Sequence, residues 1–484
     1  MISTKIGENI NTARSLMAIK QSFDYIEREL FFGETKVYML AINGFTQTEV
    51  LQHIVADVQS LSDGEGQIRN LSNFIDKKLG FAQVSYAKDW DMIIKMLLSG
   101  TTVLIVDGFD VGVVIDTRTY PLRSIAEPDT EKVTRGAKDG FVENIIMNTA
   151  LIRRRIRDPK LTFELHQVGS DSKTDVAIGF IREKAEQNLL EEVRKCIDGL
   201  DVTSLTMGAR SLEELMISKS YLHPLPGIFK TERPDVASSY LEEGYIVLVV
   251  DNSPMVMILP CSIFQFTQSP EDYYKSPIVG NYIRLMRFIS LLASLLLMPL
   301  FLLFGAHVPL PEEFALISTE GMTPVKLFVM VLVIEIALEL FRYSTSHTSD
   351  RFAGALSIVG GLIIGDVAIK LEWASPEVLF YGAATMLATL AISSLEMAEG
   401  IRIYRIFLVI TTGMFGCAGF VIGLLLVAVS VITTPVFGKF SYFWPLIPFR
   451  PDALKTLLFR YPTCKAQPST LLKEQKKKCK TKNK

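Results

Sequence analysis

Apolar and polar residues are distributed differently in the two parts of this chain. Up to about residue 280 they alternate over short distances, as in a water-soluble protein, and long apolar runs begin only at residue 288. Five such runs follow, over 288–306, about 325–343, 352–369, 378–395 and 406–437. A bilayer core of about 30 Å accommodates roughly 20 helical residues. The pattern therefore predicts a large aqueous region followed by a membrane domain made of helices.

Within the aqueous region, apolar periodicity predicts two successive groups of helices and strands. The first group comprises helices over 8–32, 46–60 and 88–98 and strands over 36–42, 101–107 and 111–116. After a charged stretch with a helix over 139–155, the second group comprises strands over 161–167, 174–181, 245–250 and 255–259 and helices over 185–198 and 211–220. Such alternation favours two-layer or three-layer α/β packing. No repeat of fixed period is visible.

These patterns predict an α/β N-terminal region of two subdomains, followed by an all-α polytopic membrane domain. The expected limits are 1–157 and 158–280 for the subdomains, 281–440 for a transmembrane helical bundle with a re-entrant segment, and 441–484 for a C-terminal cytoplasmic segment with a basic tail. The N-terminus lacks an apolar stretch of signal-peptide length. The five cysteines are scattered, as is typical of reduced thiols. We therefore expect the N-terminal region to be cytoplasmic.

The final apolar run has an unusual length. As one helix it would extend about 50 Å, which is too long for one untilted crossing and too short for two. Arg287, Arg342 and Arg405 flank the runs and mark cytoplasmic sides. Seven lysines after residue 472 favour a cytoplasmic C-terminus as well, which five simple crossings do not allow. One run is therefore expected to be a hairpin or a re-entrant loop, and the glycine-containing candidates are 352–369 and 406–437.

Two carboxylates lie inside the second run. Glu335 and Glu339 are four residues apart and share a helix face, and an isolated charge at the bilayer centre costs about 2.5 to 3.5 kcal/mol. They are expected either to form ion pairs that hold helices together, with Arg342 as a partner, or to line a cation path in an oligomer. The second alternative follows because rings of acidic side chains attract cations. Asp366 in the next run has the same two interpretations.

Glycines at GxxxG spacing occur in two runs. They are Gly361 with Gly365, and Gly419 with Gly423. This spacing lets helix backbones approach closely, so it indicates either helix packing or a gating hinge.

Signals for catalysis are missing from the sequence. It contains no GxxxxGK, HExxH or GxSxG motif, and its five histidines are scattered. The formal net charge is −2, whereas nucleic-acid binding requires a clustered basic surface. We expect no enzyme activity, no cofactor, no metal site and no nucleic-acid partner.

Three motifs in a fixed order resemble a known family. The first motif is EPDTEKVTRGAKDGFVENIIMNTALIRRRIRDPKL over 127–161, the second is TERPD over 231–235, and the third is SPEDYY over 269–274. Together they resemble the spore germination receptor A-subunit family, and the similarity covers about 100–460. The positions that match the family signature are Glu127, Pro128, Glu131, Arg135, Gly136, Gly140, Phe141 and Asn148.

The resemblance implies a multi-pass protein of the bacterial endospore inner membrane, with its α/β region in the spore core cytoplasm. It also implies a homo-oligomer, expected to be a pentamer, that releases monovalent cations at germination and works with other spore germination membrane proteins in the lipid bilayer. Two departures from the family pattern, Ala137 in place of a proline and a reduced exit motif over 435–449, favour an accessory or amplifying channel. A secondary transporter and a non-conducting scaffold for germination proteins are the alternatives.

The charged residues of the first motif have two interpretations. They form ion pairs that fix one subdomain against the next, or they form an interface at which a neighbouring subunit supplies acidic partners. The residues concerned are Glu127, Glu131, Arg135, Arg153, Arg154 and Arg155. A small-molecule pocket between the subdomains is a further interpretation, but nothing in the sequence specifies its ligand.

Overall fold

The computed structural model describes residues 1–59, 68, 70–78, 80–81, 83–120, 131, 135–217, 223–308, 322–346 and 367–460. These residues form two compact units, each of which is described by itself. The first, the α/β unit, comprises Met1–Met216 and Ile228–Pro260. The second, the helical unit, comprises Ile217–Gly227 and the described residues from Cys261 onward.

Two five-stranded sheets and their surrounding helices build the α/β unit. Its helices are α1 (Ile6–Leu16), α2 (Thr48–Gln59), α3 (Leu71–Lys78), α4 (Trp90–Leu97), α5 (Ile145–Arg155), α6 (Gln187–Asp198), α7 (Ala209–Met216) and α8 (Pro234–Glu243). Its strands are β1 (Tyr25–Phe32), β2 (Thr35–Ile42), β3 (Val84–Ala87), β4 (Thr102–Val106), β5 (Gly112–Ile115), β6 (Leu161–Val168), β7 (Thr174–Ile181), β8 (Phe229–Thr231), β9 (Ile246–Val250) and β10 (Val256–Leu259). The prediction of an α/β N-terminal region is confirmed, and the strand pairings are antiparallel.

The two sheets have the same strand order. The first sheet is β1-β2-β4-β5-β3 and the second is β6-β7-β9-β10-β8, with helices at the same places between the strands. The α/β unit therefore contains two copies of one topology. Equivalent strands begin 136 residues apart for β1 and β6 but 144 residues apart for β4 and β9. Because this spacing varies, the sequence shows no repeat of fixed period.

Equivalent contacts hold the first helix of each copy. The side chain of Asn9 in α1 forms two hydrogen bonds with the backbone six residues earlier, and Asn148 in α5 does the same. The first amide of α1 donates to Oδ1 of Asp107 after β4 at 2.9 Å, and the first amide of α5 donates to Oδ1 of Asp251 after β9 at 3.1 Å. The signature residue Asn148 therefore has a structural role, because it closes the loop that leads into α5.

Helices cover both faces of the first sheet. Along β2, Tyr38 and Leu40 join an apolar core with α1 and α4, whereas Val37 and Met39 join a second core with α2 and α3. A strand that is buried on both faces is apolar along its whole length. The first sheet is thus the middle layer of an α/β/α arrangement, which is one of the two packings expected from the sequence.

The helix predicted over 8–32 is wrong in its second half. α1 ends at Leu16, and Tyr25–Phe32 form β1, which pairs residue by residue with β2 across a tight turn at Gly33. The apolar residues of this stretch fit helical spacing as well as the buried positions of a strand. Pairing with β2 decides between the two, because strand preference depends on cross-strand neighbours that local periodicity does not record.

Among its described residues, the helical unit contains a 3₁₀-helix, Ile263–Thr267, and seven α-helices. The α-helices are α9 (Glu271–Tyr274), α10 (Pro277–Ala306), α11 (Pro324–Ser346), α12 (Ala368–Lys370), α13 (Pro376–Leu390), α14 (Leu395–Ile432) and α15 (Pro451–Leu458). By length and composition, α10 and α14 are apolar enough to cross a bilayer. The run predicted over 352–369 lies almost wholly outside the described residues. A helical C-terminal part is confirmed, and its full set of crossings stays a prediction.

Two predicted helices begin at other residues than expected. The helix predicted over 139–155 begins at Ile145, and the run predicted over 406–437 belongs to a helix that begins at Leu395. In both cases the preceding residue caps the helix, since its side chain accepts a hydrogen bond from the backbone amide three residues further on.

Helix α14 is folded back on itself. Gly416 has non-helical dihedral angles (φ 59°, ψ −136°) and divides the helix into two arms. Tyr404 Oη in the first arm lies 2.7 Å from Ser430 Oγ in the second, so the arms run side by side in opposite directions. This is the shape of a hairpin, which was expected for one of two runs. Its place in a bilayer stays a prediction, as do the domain limits 1–157, 158–280, 281–440 and 441–484.

Candidate functional site

A buried ion pair lies inside the helical unit. Glu335 of α11 is 5% exposed, and its Oε2 accepts hydrogen bonds from Nε and Nη2 of Arg405 in α14, at 3.2 and 3.0 Å. A buried carboxylate without a cation beside it costs several kcal/mol. The pairing therefore explains how the apolar helix α11 accommodates a charge at this position.

The same arginine connects four helices. Its Nη1 donates to the backbone oxygen of Ser294 in α10 at 3.2 Å and to Oγ1 of Thr389 in α13 at 3.1 Å. The side-chain hydroxyl oxygens of Ser294 and Thr389 lie 2.7 Å apart. We call Ser294, Glu335, Thr389 and Arg405 the polar layer. Oε1 of Glu335 is buried and has no hydrogen-bond partner among the described residues, so one acceptor of the polar layer is unused in this conformation.

Glu339 lies one turn beyond Glu335 and is more exposed. Its Oε1 accepts a hydrogen bond from Nη2 of Arg342 at 2.5 Å, and its Oε2 lies 3.7 Å from Nη1 of Arg402. The side chain is 39% exposed. Both carboxylates thus have arginine partners within the chain, as expected if they form ion pairs. A cation path would require a carboxylate that cations can reach, and of the two only Glu339 is exposed to this extent.

Arg405 is a site residue that the apolar pattern alone does not reveal. In the sequence it lies between two apolar runs, where it is expected only to mark the cytoplasmic side. A usable signal was nevertheless present. Arg402 and Arg405 are three residues apart, and Glu335 and Glu339 are four apart, so each of two helices carries a pair of like charges on one face. The opposite signs of the two pairs indicate that these faces meet.

Gly419 and Gly423 lie where the two arms of α14 touch. A Cβ atom on Gly419 would lie 1.9 Å from the backbone oxygen of Thr411, and one on Gly423 would lie 2.6 Å from the hydroxyl of the same residue. Glycine at both places lets the arms approach closely. The bend itself is at Gly416, so the predicted pair contributes packing in this conformation.

Several predicted residues lie outside the described part of the chain. They are Gly361, Gly365 and Asp366 in the membrane runs and Glu127 in the first motif. Their expected roles in packing, gating, ion passage and interface formation stay predictions.

The first and second motifs meet in the α/β unit. Oε2 of Glu131 accepts a hydrogen bond from the hydroxyl of Thr231 at 2.7 Å and another from the amide of Glu232 at 2.8 Å. Burial raises the pKa of Glu131 from its ordinary value of 4.5 to about 7. A signature carboxylate thus binds residues about 100 positions further along the chain. The sequence alone gives the order of the two motifs but not their contact.

Arg233 of the second motif strengthens this contact. It is fully buried, and it donates hydrogen bonds to the backbone oxygens of Glu131 at 3.1 Å and Ala137 at 2.9 Å. Its guanidinium also pairs with Asp235 at 2.8 Å. A buried guanidinium with several acceptors orders the chain around it, so the second motif holds the start of the first in place.

The Glu131→Gln variant is expected to remove a pH dependence of stability, because an uncharged oxygen keeps both hydrogen bonds. In the unsubstituted protein the folded state binds the Glu131 proton more tightly than the unfolded chain does, so the free energy of unfolding falls between pH 4.5 and about pH 7. We expect the variant to be more stable by about 1 to 2 kcal/mol at pH 8 and equally stable near pH 4. Chemical denaturation at both pH values measures this, and an equal difference at both would contradict it.

Arg153 of the first motif connects the two copies of the α/β unit. It is fully buried, and its Nε donates to Oδ2 of Asp24, which precedes β1, at 2.8 Å. Its two other nitrogens donate to backbone oxygens next to β6, at 3.1 and 2.9 Å. Arg153, in the first helix of the second copy, thus forms an ion pair with a residue of the first copy. Both residues lie within the predicted limits 1–157, so the two interpretations of this arginine stay predictions.

The other arginines of the first motif lie nearer the surface. Arg155 pairs with Asp139 at 2.6 Å, and the guanidinium of Arg154 lies 4.7 Å from the ring centre of Tyr120. Arg135 is exposed. These three side chains are exposed or partly exposed, and their expected role in an interface stays a prediction. Within the described ranges, no group of three or more His, Cys, Asp or Glu side chains is arranged to hold a metal ion.

Comparison with known proteins gives one family over nearly the whole chain. The model of the Bacillus/Clostridium GerA spore germination protein family matches residues 14–470. Stage V sporulation protein AF of Bacillus subtilis (strain 168) is 34% identical over 466 residues, which are 96% of this chain and 94% of that protein. Spore germination protein KA of the same strain is 29% identical over 485 residues, or 98% and 88% of the two chains.

A solved structure is similar to part of the chain. The crystal structure of the N-terminal domain of the A subunit of the Bacillus megaterium spore germinant receptor GerK3 covers 53% of this chain and 95% of its own, with 26% identity and a TM-score of 0.41. The family resemblance that the three motifs carried is confirmed by the match over 14–470 and by the identity to Stage V sporulation protein AF. The chain belongs to the GerA family of spore germination proteins.

Proposed function

We propose that the chain is a subunit of an oligomeric channel in the endospore inner membrane that releases monovalent cations at germination, as an accessory or amplifying member of its family. Membership of a germination family supports the process, and two helices of membrane length support the location. The observation that carries the proposal is the polar layer. Charged and hydroxyl groups of four mostly apolar helices meet in their interior, and ionisable residues inside membrane helices often mark a path for ions or substrates.

The polar layer and Glu339 have different parts in this proposal. The pair of Glu335 and Arg405 holds α11 against α14, so it stabilises the conformation described and must loosen when the helices separate. Glu339 is half exposed and one turn away, so its carboxylate attracts cations towards an opening between subunits. The oligomer, expected to be a pentamer, supplies the ring of such carboxylates.

The proposed topology has both ends of the membrane domain on the cytoplasmic side. The guanidinium of Arg460 donates to the backbone oxygens of Asp272 at 2.6 Å and Tyr273 at 2.9 Å, and the backbone of Arg460 bonds the side chain of Asn281 near the start of α10. The chain thus enters α10 and leaves α15 at one end of the helical unit. The lysine-rich tail begins at Lys473, about a dozen residues after Arg460, so the positive-inside rule favours this end as cytoplasmic, together with the N-terminal region.

A non-conducting scaffold is the second candidate, and one observation favours it. Both Glu335 and Glu339 are paired with arginines of the same chain, as they would be if their task were to hold helices together. A scaffold of this kind would organise other germination proteins in the spore membrane without passing ions.

Conductance of the purified protein in planar bilayers separates the two candidates. We expect the Glu335→Gln plus Glu339→Gln variant to lose most of its potassium current, and Glu339→Gln alone to lose part of it while the pair of Glu335 and Arg405 stays intact. Glu372→Gln is the matched control, because this carboxylate is 84% exposed and lies in the turn after α12. Unchanged currents in the variants would reject the acidic lining, and absence of current in the unsubstituted protein would favour the scaffold.

A further inference from the structure

A short piece of the N-terminal half of the chain is part of the helical unit. The connecting segment, Ile217–Gly227, follows α7 and precedes β8, so both of its neighbours in sequence belong to the α/β unit. Residues 217 and 223–227 of this segment are described. The chain therefore leaves the α/β unit after α7 and returns to it at β8, and residues 223–227 between these elements pack with the helices.

The connecting segment touches both ends of the α14 hairpin through backbone atoms. At the start of the first arm, a Cβ atom on Gly400 would lie 2.6 Å from the backbone oxygen of Pro224 and 2.8 Å from the side chain of Leu225. Just after the second arm, a Cβ atom on Gly227 would lie 2.4 Å from the backbone oxygen of Pro435. Any side chain at either glycine would force the segment and the hairpin apart, because glycine permits this close an approach of backbones.

The other end of the connecting segment leads straight to the contact between the first and second motifs. Ile228 is fully buried, and the hydroxyl of Thr231 at the end of β8 donates a hydrogen bond to Glu131. Four residue steps separate Gly227 from Thr231, which is about 13 Å of extended chain. The link between the second motif and the hairpin is therefore short, so a displacement of the motif is passed on to the hairpin with little loss.

We propose that the connecting segment is the coupling element through which movement of β8 and the second motif changes the spacing of the two arms of α14. This inference rests on the proposed function, because it supplies the step between a signal in the α/β unit and the opening of the helices. Contacts between backbones transmit displacement well. A side chain can change its rotamer to accommodate a movement, whereas a close-packed backbone cannot. Gly227 and Gly400 are the positioning residues of this coupling.

Alanine at either glycine tests the coupling in the full chain. The gene is expressed in Bacillus subtilis spores that lack Stage V sporulation protein AF, and potassium release is recorded after a nutrient stimulus. We expect Gly227→Ala and Gly400→Ala each to slow the release that depends on this chain by about tenfold at equal protein level, because the added methyl group displaces the segment. In the double variant, the fold reduction in release rate should be smaller than the product of the two single reductions. The reason is that both substitutions disturb the same contacts between the connecting segment and the hairpin. Gly7→Ala is the control, because its Cβ would meet nothing within 4 Å.

Leu225→Ala provides a second variant if the alanine substitutions prevent the protein from accumulating. It shortens the side chain that lies against Gly400 without adding bulk, and we expect it to slow potassium release as well. Release at the unsubstituted rate in Leu225→Ala and in both glycine variants would overturn the coupling.

Hydrogen exchange on the purified full-length protein tests the coupling independently of conduction. We expect Gly227→Ala to speed amide exchange around Tyr404 and Ser430, where the arms touch, and Gly400→Ala to speed it in β8. Faster exchange confined to the immediate neighbours of each substitution would overturn the inference. If the expected exchange pattern is found but the unsubstituted protein releases no potassium, the coupling stands and the channel proposal is rejected.

Discussion

Substitution of Arg405→Met is expected to destabilise the helical unit by about 3 to 5 kcal/mol. Methionine fills a similar volume, but Glu335 then remains buried without its cation, at 5% exposure. Ser294 and Thr389 also lose a donor that joins α10 and α13 to the other two helices. Reversible denaturation of the purified protein in mixed micelles measures the loss.

Two further variants make this test specific. Arg342→Met also removes an arginine from a carboxylate, but its partner Glu339 is 39% exposed, so we expect a cost of about 1 kcal/mol or less. Combining Arg405→Met with Glu335→Gln removes both charges of the pair, and most of the lost stability should return. Equal losses in the Arg405 and Arg342 single variants would show that burial of the pair is not what stabilises the unit.

Substitution of Arg153→Met is expected to have the largest effect in the α/β unit, also about 3 to 5 kcal/mol. It leaves the carboxylate of Asp24, which is 2% exposed, with Ser22 as its remaining side-chain partner among the described residues. The change also removes the hydrogen bonds that Arg153 donates to the backbone oxygens of Asp158, before β6, and of Leu161, the first residue of β6. Hydrogen exchange of the full-length protein should show reduced protection in both β1 and β6, because Arg153 connects the two copies.

Arg154→Met is the control for this prediction. Arg154 is the next residue of the same helix, but it is exposed and lies over the ring of Tyr120, an interaction that contributes about 0.5 to 1 kcal/mol at exposed sites. We expect nearly unchanged protection in β1 and β6. If both arginine variants lose protection to the same extent, the contact with Asp24 is not the connection between the copies.

Local apolar patterns predicted most elements of the α/β unit, because each strand there is short and bounded by polar residues. The strand expected over 174–181 is observed at Thr174–Ile181, and the helix expected over 185–198 at Gln187–Asp198. The stretch that became β1 was misassigned, since its apolar residues fit both periods and only pairing with β2 distinguishes them.

Partners distant in sequence could not be predicted in this way. Asp24 lies 129 positions before Arg153, and Glu335 lies 70 positions before Arg405, and no periodicity relates residues at such distances. The family motifs pointed to Glu131 and Arg153, but they gave no partners for either residue. The carboxylates of α11 were recognised because charge within an apolar run is costly, which is a local signal.

The repeated strand order also places two arginines at the same position. Arg14 and Arg153 are each the ninth residue of an eleven-residue helix, in α1 and α5. Arg14 pairs at 3.0 Å with Glu27 of its own copy, whereas Arg153 pairs with Asp24 of the other copy. Separation of the two copies would therefore leave the guanidinium of Arg153 and the carboxylate of Asp24 without each other, whereas the pair of Arg14 and Glu27 would stay intact.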